Sequence, residues 1–552
     1  MTFGDFKREL AQATTEEVVK ATYAASDTIH GIHVKLDRLT DESQRRFEGE
    51  FYTPLRFATK AIHYLTDVLG KKWCRSGKYR IWDMAAGTGN LEYHLPIEAY
   101  KYLYLSTFHT GEAEHRKKVF PGATCFQYDY LNDDVEYVFN KDELPFVPNW
   151  KLPQKLRDEL ADPSITWVVY INPPFATAQD AKRKKSKTGV GKTKIDIQMD
   201  KAKTGHAKRE LLVQFMFRII HELPKKTYVG MFAKLYLNAP DSAEYRDKFF
   251  NYRYEKGFLF HSNCFHGVTG DFPVTFLIWN LSKQRERKIV DIDISDTDTK
   301  TIGVKHVQLI NKGDVLNKWV ERPANSKNYI LPPLSNAITV TEGNTDIRHR
   351  ARPDLLASIS SRGNDFQHNR YIAILSSPSV SAGAFTVVQE NFEKAVTLYA
   401  VRKIPEPTWI NDRDPFLTPH TEPSKAFMSD CVVWSLFSNA NETTALKNVR
   451  YLGKTYQIKN NFYPFPLKEV LEQAKIVYKL FYANLHQMVT HKWKIDTWDA
   501  GWYQIRRCLK EHNLATDELK EVGKANEKLA DKIRPQIEAY GFLDKDEIEG
   551  DA

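Results

Sequence analysis

The chain has 552 residues, 42% of them hydrophobic and 27% charged, which is enough apolar material for two or more domains, each with its own core. Disorder as an overall state is excluded. No apolar stretch approaches the roughly 20 residues of a bilayer crossing, so no membrane association is expected. The 79 basic and 70 acidic residues leave a net charge of +9, which on its own favours a polyanionic partner only mildly.

The N-terminus, MTFGDFKREL, carries charge where a secretion signal would place an apolar core, so a cytoplasmic location is expected. Residues 1–50 read as a polar helical arm. From 51 to 284, helices alternate with short apolar, β-branched and aromatic runs, the rhythm of a doubly wound α/β domain. Seven strands are predicted: Tyr79–Met84, Tyr102–Phe108, Thr124–Gln127, Thr166–Ile171, Thr227–Phe232, Gly257–His261 and Thr275–Asn280. The helices between them are predicted at Leu55–Leu69, after Asn90, at Glu112–Val119 and at Glu210–Leu223. The charged connector SKQRERK then leads into a second domain, 285–552, of mixed α+β character and rich in turns. Its end is helical, because Val470, Leu471, Ala474, Val477, Leu480, Phe481, Leu485 and Met488 recur at three- and four-residue spacing. The acidic tail DKDEIEGDA is expected to fray. Cys74, Cys125, Cys264, Cys431 and Cys508 are far apart with no C-x-x-C pair; this argues against a zinc site and a disulfide framework, and they are expected to be core residues.

Two motifs carry chemistry. In DMAAGTGN, Asp83–Asn90, glycines 87 and 89 follow a strand and allow a sharp turn with close backbone approach to a ligand. In NPPF, Asn172–Phe175, two prolines fix the backbone and leave neighbouring carbonyls free to point outward. An Asn side-chain oxygen beside a Pro carbonyl forms a rigid acceptor pair for an exocyclic amine, and the aromatic at 175 can stack on the attached ring. The sequence SKTGVGKT imitates a phosphate-binding loop, but Ser186 replaces its first glycine and no hydrophobic strand precedes it, so an ATP site is excluded there.

With FYTP at 51–54 and QYDYL at 127–131 added, the order of motifs over residues 50–281 resembles the gamma-class N6-adenine DNA methyltransferases. The resemblance implies a seven-stranded methyltransferase sheet, a C-terminal target-recognition domain, S-adenosyl-L-methionine as cofactor and double-stranded DNA as partner. It leaves open a separate restriction endonuclease or specificity partner. It places Tyr52, Thr53, Pro54, Asp83, Ala86, Gly87, Gly89, Asn90, Asp129, Tyr130 and Phe215 around the cofactor. Asn172, Pro173, Pro174 and Phe175 take the catalytic positions, with Phe175 and Phe265 stacking on the two faces of a flipped adenine. No metal is implied. The acidic residue expected on the cofactor's ribose has no direct counterpart: either a polar residue near Thr107 substitutes or Glu112 folds back.

From Lys182 to Lys208 there are ten Lys and Arg against Asp196 and Asp200. Such a run is ordinarily a solvated loop. Its position just after NPPF favours a DNA-clamping role instead, with Lys182, Arg183, Lys184, Lys185, Lys192 and Lys194 as the phosphate contacts. Base-reading candidates beyond 285 are Arg348, Arg350, Arg362, Arg370, Arg402, Trp493, Trp498 and Trp502. The function expected is sequence-specific adenine-N6 methylation of DNA. The alternatives are another planar nitrogen (cytosine N4, RNA adenine or a protein glutamine amide) and a catalytically inactive DNA-binding specificity subunit.

Overall fold

The computed structural model describes residues 53–544 and 547–548, apart from 88, 140–149, 176–191, 236–241, 266, 267, 269, 333, 336–338, 341–350, 378–382, 444, 459–471, 484–497 and 500. The arm expected over 1–50 lies outside the described residues. So do Tyr52, Lys182, Arg183, Lys184, Lys185, Arg348, Arg350 and Trp493.

Apolar runs form nine strands of one sheet: β1 (Tyr79–Asp83), β2 (Leu103–Thr107), β3 (Thr124–Gln127), β4 (Thr166–Ile171), β5 (Thr227–Lys234), β6 (Tyr252–His261), β7 (Pro273–Gln284), β8 (Ile289–Ser295) and β9 (Thr301–Gln308). Their order is β3-β2-β1-β4-β5-β7-β6-β8-β9, with Glu547–Ile548 added antiparallel to β9. β1 to β5 are mutually parallel, and β7 enters antiparallel between β5 and β6. All seven expected strands are present, but among the described residues the sheet has ten strands rather than seven. β8 continues it because Val290, Ile292 and Ile294 alternate inward onto the core that holds Trp279 and Leu281. The run SKQRERK therefore connects strands of one sheet. The tail expected to fray contributes the tenth strand, pairing Ile548 with Gly303.

Every residue of β4 is buried, as a central parallel strand covered on both faces requires. One face packs Trp82, Trp167 and Phe215, the other Ile81, Val168 and Phe276. Helices α1 (Leu55–Leu69), α2 (Thr110–Val119), α3 (Lys194–Lys201) and α4 (Leu211–Glu222) flank the sheet. The helix expected after Asn90 is replaced by turns and a short 3-10 segment, Ile97–Tyr102. Pro96 holds an extended backbone (φ −66°, ψ 147°) and breaks the run.

The C-terminal half packs α5 (Phe392–Lys403), α6 (Lys425–Phe437) and α9 (Thr516–Ala539) on a small four-stranded sheet, joined by α7 (Glu472–Ala483) and α8 (Trp502–Glu511). Val477 and Phe481 face inward, as the spacing predicts. The five cysteines are free; Cys125, Cys431 and Cys508 are buried, while Cys74 and Cys264 are half-buried.

Arg402, a base-reading candidate in the sequence, is fully enclosed here. Its guanidinium donates to Asn369 Oδ1 (3.2 Å), Ser361 Oγ (3.2 Å), the Gly363 carbonyl (3.0 Å) and the Asp365 carbonyl (3.1 Å). It is a structural cation, because five donors in one planar fork can satisfy several acceptors that a loop leaves inside. Arg402→Met should lower stability by about 3 kcal/mol or more, read from urea unfolding; a loss below about 1 kcal/mol would show that the loop acceptors find other partners.

Candidate functional site

The chain runs from β1 out to β2 and β3, then returns on the other side through β4. β1 and β4 therefore flank a topological switch point, where open α/β sheets bind ligands. They pair in parallel with Trp82 opposite Val169, so the glycine bend after Asp83 and the NPPF turn after Ile171 leave adjacent strand ends. In the bend, Gly87 and Gly89 have φ of +47° and +87°. At Gly89 a Cβ would lie 2.4 Å from the Phe120 ring, so no other residue fits without displacement. The Ala86 N–H donates to the Ser106 carbonyl (3.0 Å), tying the bend to β2. Asn90, at the end of the same motif, is half-buried.

Asn172 follows β4, and its Nδ2 donates to Thr53 Oγ1 at 3.0 Å. Thr53 is buried, and the next residue, Pro54, opens α1 in an extended conformation. Two residues before Asn172, the Tyr170 hydroxyl donates to the Ala58 carbonyl of α1 (3.0 Å). The head of α1 is thus fixed against the end of β4. Because the amide nitrogen faces Thr53, the amide oxygen points to the other side.

At the end of β2, the Thr107 hydroxyl donates to the Glu112 carboxylate (2.5 Å). The two residues the sequence left open, Thr107 and Glu112, thus meet at the same strand end. After β3, Asp129 accepts from the Leu131 N–H (3.1 Å) and from Asn132 Nδ2 (2.8 Å), so its half-buried carboxylate is held in a tight turn. Tyr130 and Phe215 are brought together, with ring centroids 5.2 Å apart. Both rings are buried, and the Arg218 guanidinium lies 4.4 Å over Tyr130. They belong to the core layer and leave little edge for a ligand.

Phe175 and Phe265 also come together, but not as a slot. Their centroids are 6.0 Å apart at 73°, an edge-to-face contact. Phe265 stacks on Phe260 at 5.6 Å and is only 1% exposed. The two buried rings cover each other, so the expected slot between them is closed.

The phosphate-contact expectation changes for two lysines. Lys192 pairs with Asp200 (3.3 Å) and Lys194 with Glu136 (2.9 Å). These are exposed pairs worth only about 0–1 kcal/mol, so a phosphate can displace them.

Two groups escaped the sequence reading. Lys234 ends the apolar strand β5 and donates to the Phe175 carbonyl (3.2 Å), anchoring the end of NPPF. Burial holds its pKa below the ordinary lysine range, opposed by Glu210; a cation ending an apolar run was the available signal. The other is Glu92, fully buried beside Asp83 with the enclosed Arg116 as the nearby cation. Burial pushes the Asp83 carboxyl up to about 7, and burial followed by the Asp83 charge raises Glu92 well above the carboxylate range. No spacing rule marks that contact.

No protein-family model matches the chain, and no curated protein is similar to it. Among solved structures it is similar to a DrdV–DNA complex, at 14% identity and TM-score 0.37, covering 60% of this chain and 37% of that one. It is also similar to a nuclease-deletion mutant of the Type ISP restriction-modification enzyme LlaGI with a DNA substrate mimic, at 13% and 0.37, covering 66% and 39%. A third is the Type I restriction enzyme EcoKI M protein, at 14% and 0.25, covering 45% and 48%. The chain spans less than half the length of each. These likenesses are distant, and the geometry of the strand ends decides what the site can do.

Asp83 and Glu92 hold protons in the fold that the unfolded chain would release above a pH of about 4. Their contribution to stability is complete below that range; that of Asp83 is lost as pH rises through about 7, and that of Glu92, raised well above the carboxylate range, also declines as pH rises. Glu92→Gln, which keeps the shape without the charge, should shrink the fall in melting temperature between pH 5 and pH 8; an unchanged fall would mean that this pair does not titrate in that window.

Proposed function

We propose that the chain is an S-adenosyl-L-methionine-dependent DNA methyltransferase acting on the N6 amine of a flipped-out adenine. The carrying observation is the Asn172–Thr53 contact at the end of β4, directly beside the glycine bend of β1. Together with the carboxylates at the ends of β2 and β3, that edge fits the cofactor's parts. Gly87 and Gly89 let backbone approach it, Glu112 suits its ribose hydroxyls, and Asp129 suits an amine donor on its adenine. Thr53 and Pro54 border the same edge through the Asn172 contact, and Asp83 and Ala86 belong to the bend beside it. When bound, S-adenosyl-L-methionine supplies a methyl group on a sulfonium.

The chain's own residues do the rest. An aryl amine is a poor nucleophile because its lone pair is delocalised into the ring. The Asn172 amide oxygen and the Pro173 carbonyl accept its two N–H bonds, favour a pyramidal nitrogen and stabilise the positive charge that grows on it. Pro174 stiffens the turn, and Lys234 holds its far end through the Phe175 carbonyl. Asn172 is no base, so the proton leaves to solvent. Extruding the base costs a few kcal/mol, and admitting it requires Phe175 and Phe265 to part. The basic segment beside NPPF supports DNA as the partner, since each neutralised phosphate adds affinity and salt dependence. The closed aromatic pair also supports a second reading, a DNA-binding specificity subunit without turnover.

Radiolabelled methyl transfer to duplex DNA separates the two. Asn172→Ala should lower it at least about 100-fold with cofactor affinity within a few-fold of wild type. Thr53→Val, which removes one hydrogen bond, should lower it about tenfold. Nucleoside analysis should yield N6-methyladenine; N4-methylcytosine, or transfer to RNA alone, would correct the acceptor. No transfer by the wild type with intact cofactor binding would sink the catalytic reading.

A further inference from the structure

The C-terminal half contains a cavity of about 710 Å³, within the range of small-molecule sites, which is roughly 300–1,000 Å³. Its walls come from α5, α6, α8 and the first turns of α9, none of which contributes to the strand-end site. The floor is aromatic. Tyr399 and Trp434 lie 6.0 Å apart, and Phe437 and Trp502 meet edge to face at 4.9 Å.

The rim is cationic. Lys403, Arg506, Lys510 and Lys520 line the cavity against one carboxylate, Glu527. Two of these charges are already engaged, Lys520 with Asp517 (3.2 Å) and Glu527 with Arg534 (3.2 Å). Lys403 donates to the Asn369 carbonyl (2.7 Å), but its charged neighbour is Arg402. The titratable groups facing Arg506 are Tyr503 and Tyr399. Among the described residues, neither cation has an acid beside it, and burial holds both below their ordinary pKa. Half-buried cations without a counter-charge are unfavourable, and a bound anion offsets that.

The helix α9 carries an independent mark. Gly523 stands in its interior and lines the cavity, and a Cβ there would meet nothing within 4 Å. Glycine inside a helix is about 1 kcal/mol less favourable than alanine. Gly523 is exposed, so it stands at the mouth of the cavity, where a larger side chain would narrow the opening.

We propose that this cavity binds a nucleoside phosphate, with the base against the aromatic floor and the phosphate at Arg506, Lys403 and Lys510. The same chemistry is offered by a free nucleotide and by a nucleotide of a DNA strand. The full chain is titrated at about 0.15 M salt, where long-range attraction is screened, with ADP in one arm and a fluorescent duplex oligonucleotide in the other. At least one probe should bind the wild type. Arg506→Gln and Gly523→Leu should each weaken it tenfold or more, and the arm affected identifies the source. Thermal melting controls for folding. Gly523→Leu adds a strong helix former and should melt at or above wild type, and Arg506→Gln keeps the test alive if the leucine does not fit. The proposal is overturned if neither probe binds the wild type, or if a folded variant binds both probes as tightly as wild type. Neither readout involves methyl transfer, so this site and the strand-end site stand or fall separately.

Discussion

Five consecutive parallel strands impose the constraint on which the site depends. A parallel sheet presents all its carboxyl ends along one edge, and here each strand from β1 to β5 ends at or beside a polar residue on that edge. Asp83, Thr107, Asp129, Asn172 and Lys234 follow apolar runs that secure the strands on both faces. The chain reversal between β3 and β4 then brings β1 and β4 side by side, so motifs some 80 residues apart become neighbours without a long loop to order.

Along that edge rigidity is unequally distributed. The acceptor side is held at several points: prolines at 173 and 174, Thr53 on the amide of 172, Tyr170 on α1 and Lys234 on the carbonyl of 175. Behind the glycine bend, Asp83, Glu92 and Arg116 are enclosed together, with fewer charges than carboxyl groups. By contrast, the Phe175 and Phe265 rings meet edge to face at 6.0 Å, a contact worth about 0.5–1.5 kcal/mol beyond its buried area.

Much of this was legible in the sequence, for specific reasons. The seven strands stood out because buried parallel strands are nearly continuous apolar runs, and the glycine and proline motifs because their backbone constraints are local. What escaped depends on partners distant in the chain. β8 and β9 looked like a new domain because charge marks exposure, not a boundary, and SKQRERK is exposed within one sheet. Lys192 and Lys194 read as free cations because Asp200 and Glu136 meet them only after folding. Arg402 read as a surface group because no pattern tells a core arginine from an exposed one until the loop around residues 361–365 closes on it. Glu112 was open because a helical residue returning to a strand end depends on where α2 begins, a boundary that sequence places only within a few residues.

The C-terminal half does not hang from the sheet by a tether. Ile410 enters the sheet's own core, Trp409 lies 5.1 Å from His261, and Arg413 sits 5.6 Å over Phe272 in the segment that follows Phe265. Lys305 of β9 meets Asp414 at 2.6 Å with almost no exposure, and separating such a pair leaves a buried charge uncompensated, at about 3–5 kcal/mol. Residues 409–414 therefore fix the two halves beside the aromatic cover rather than far from it.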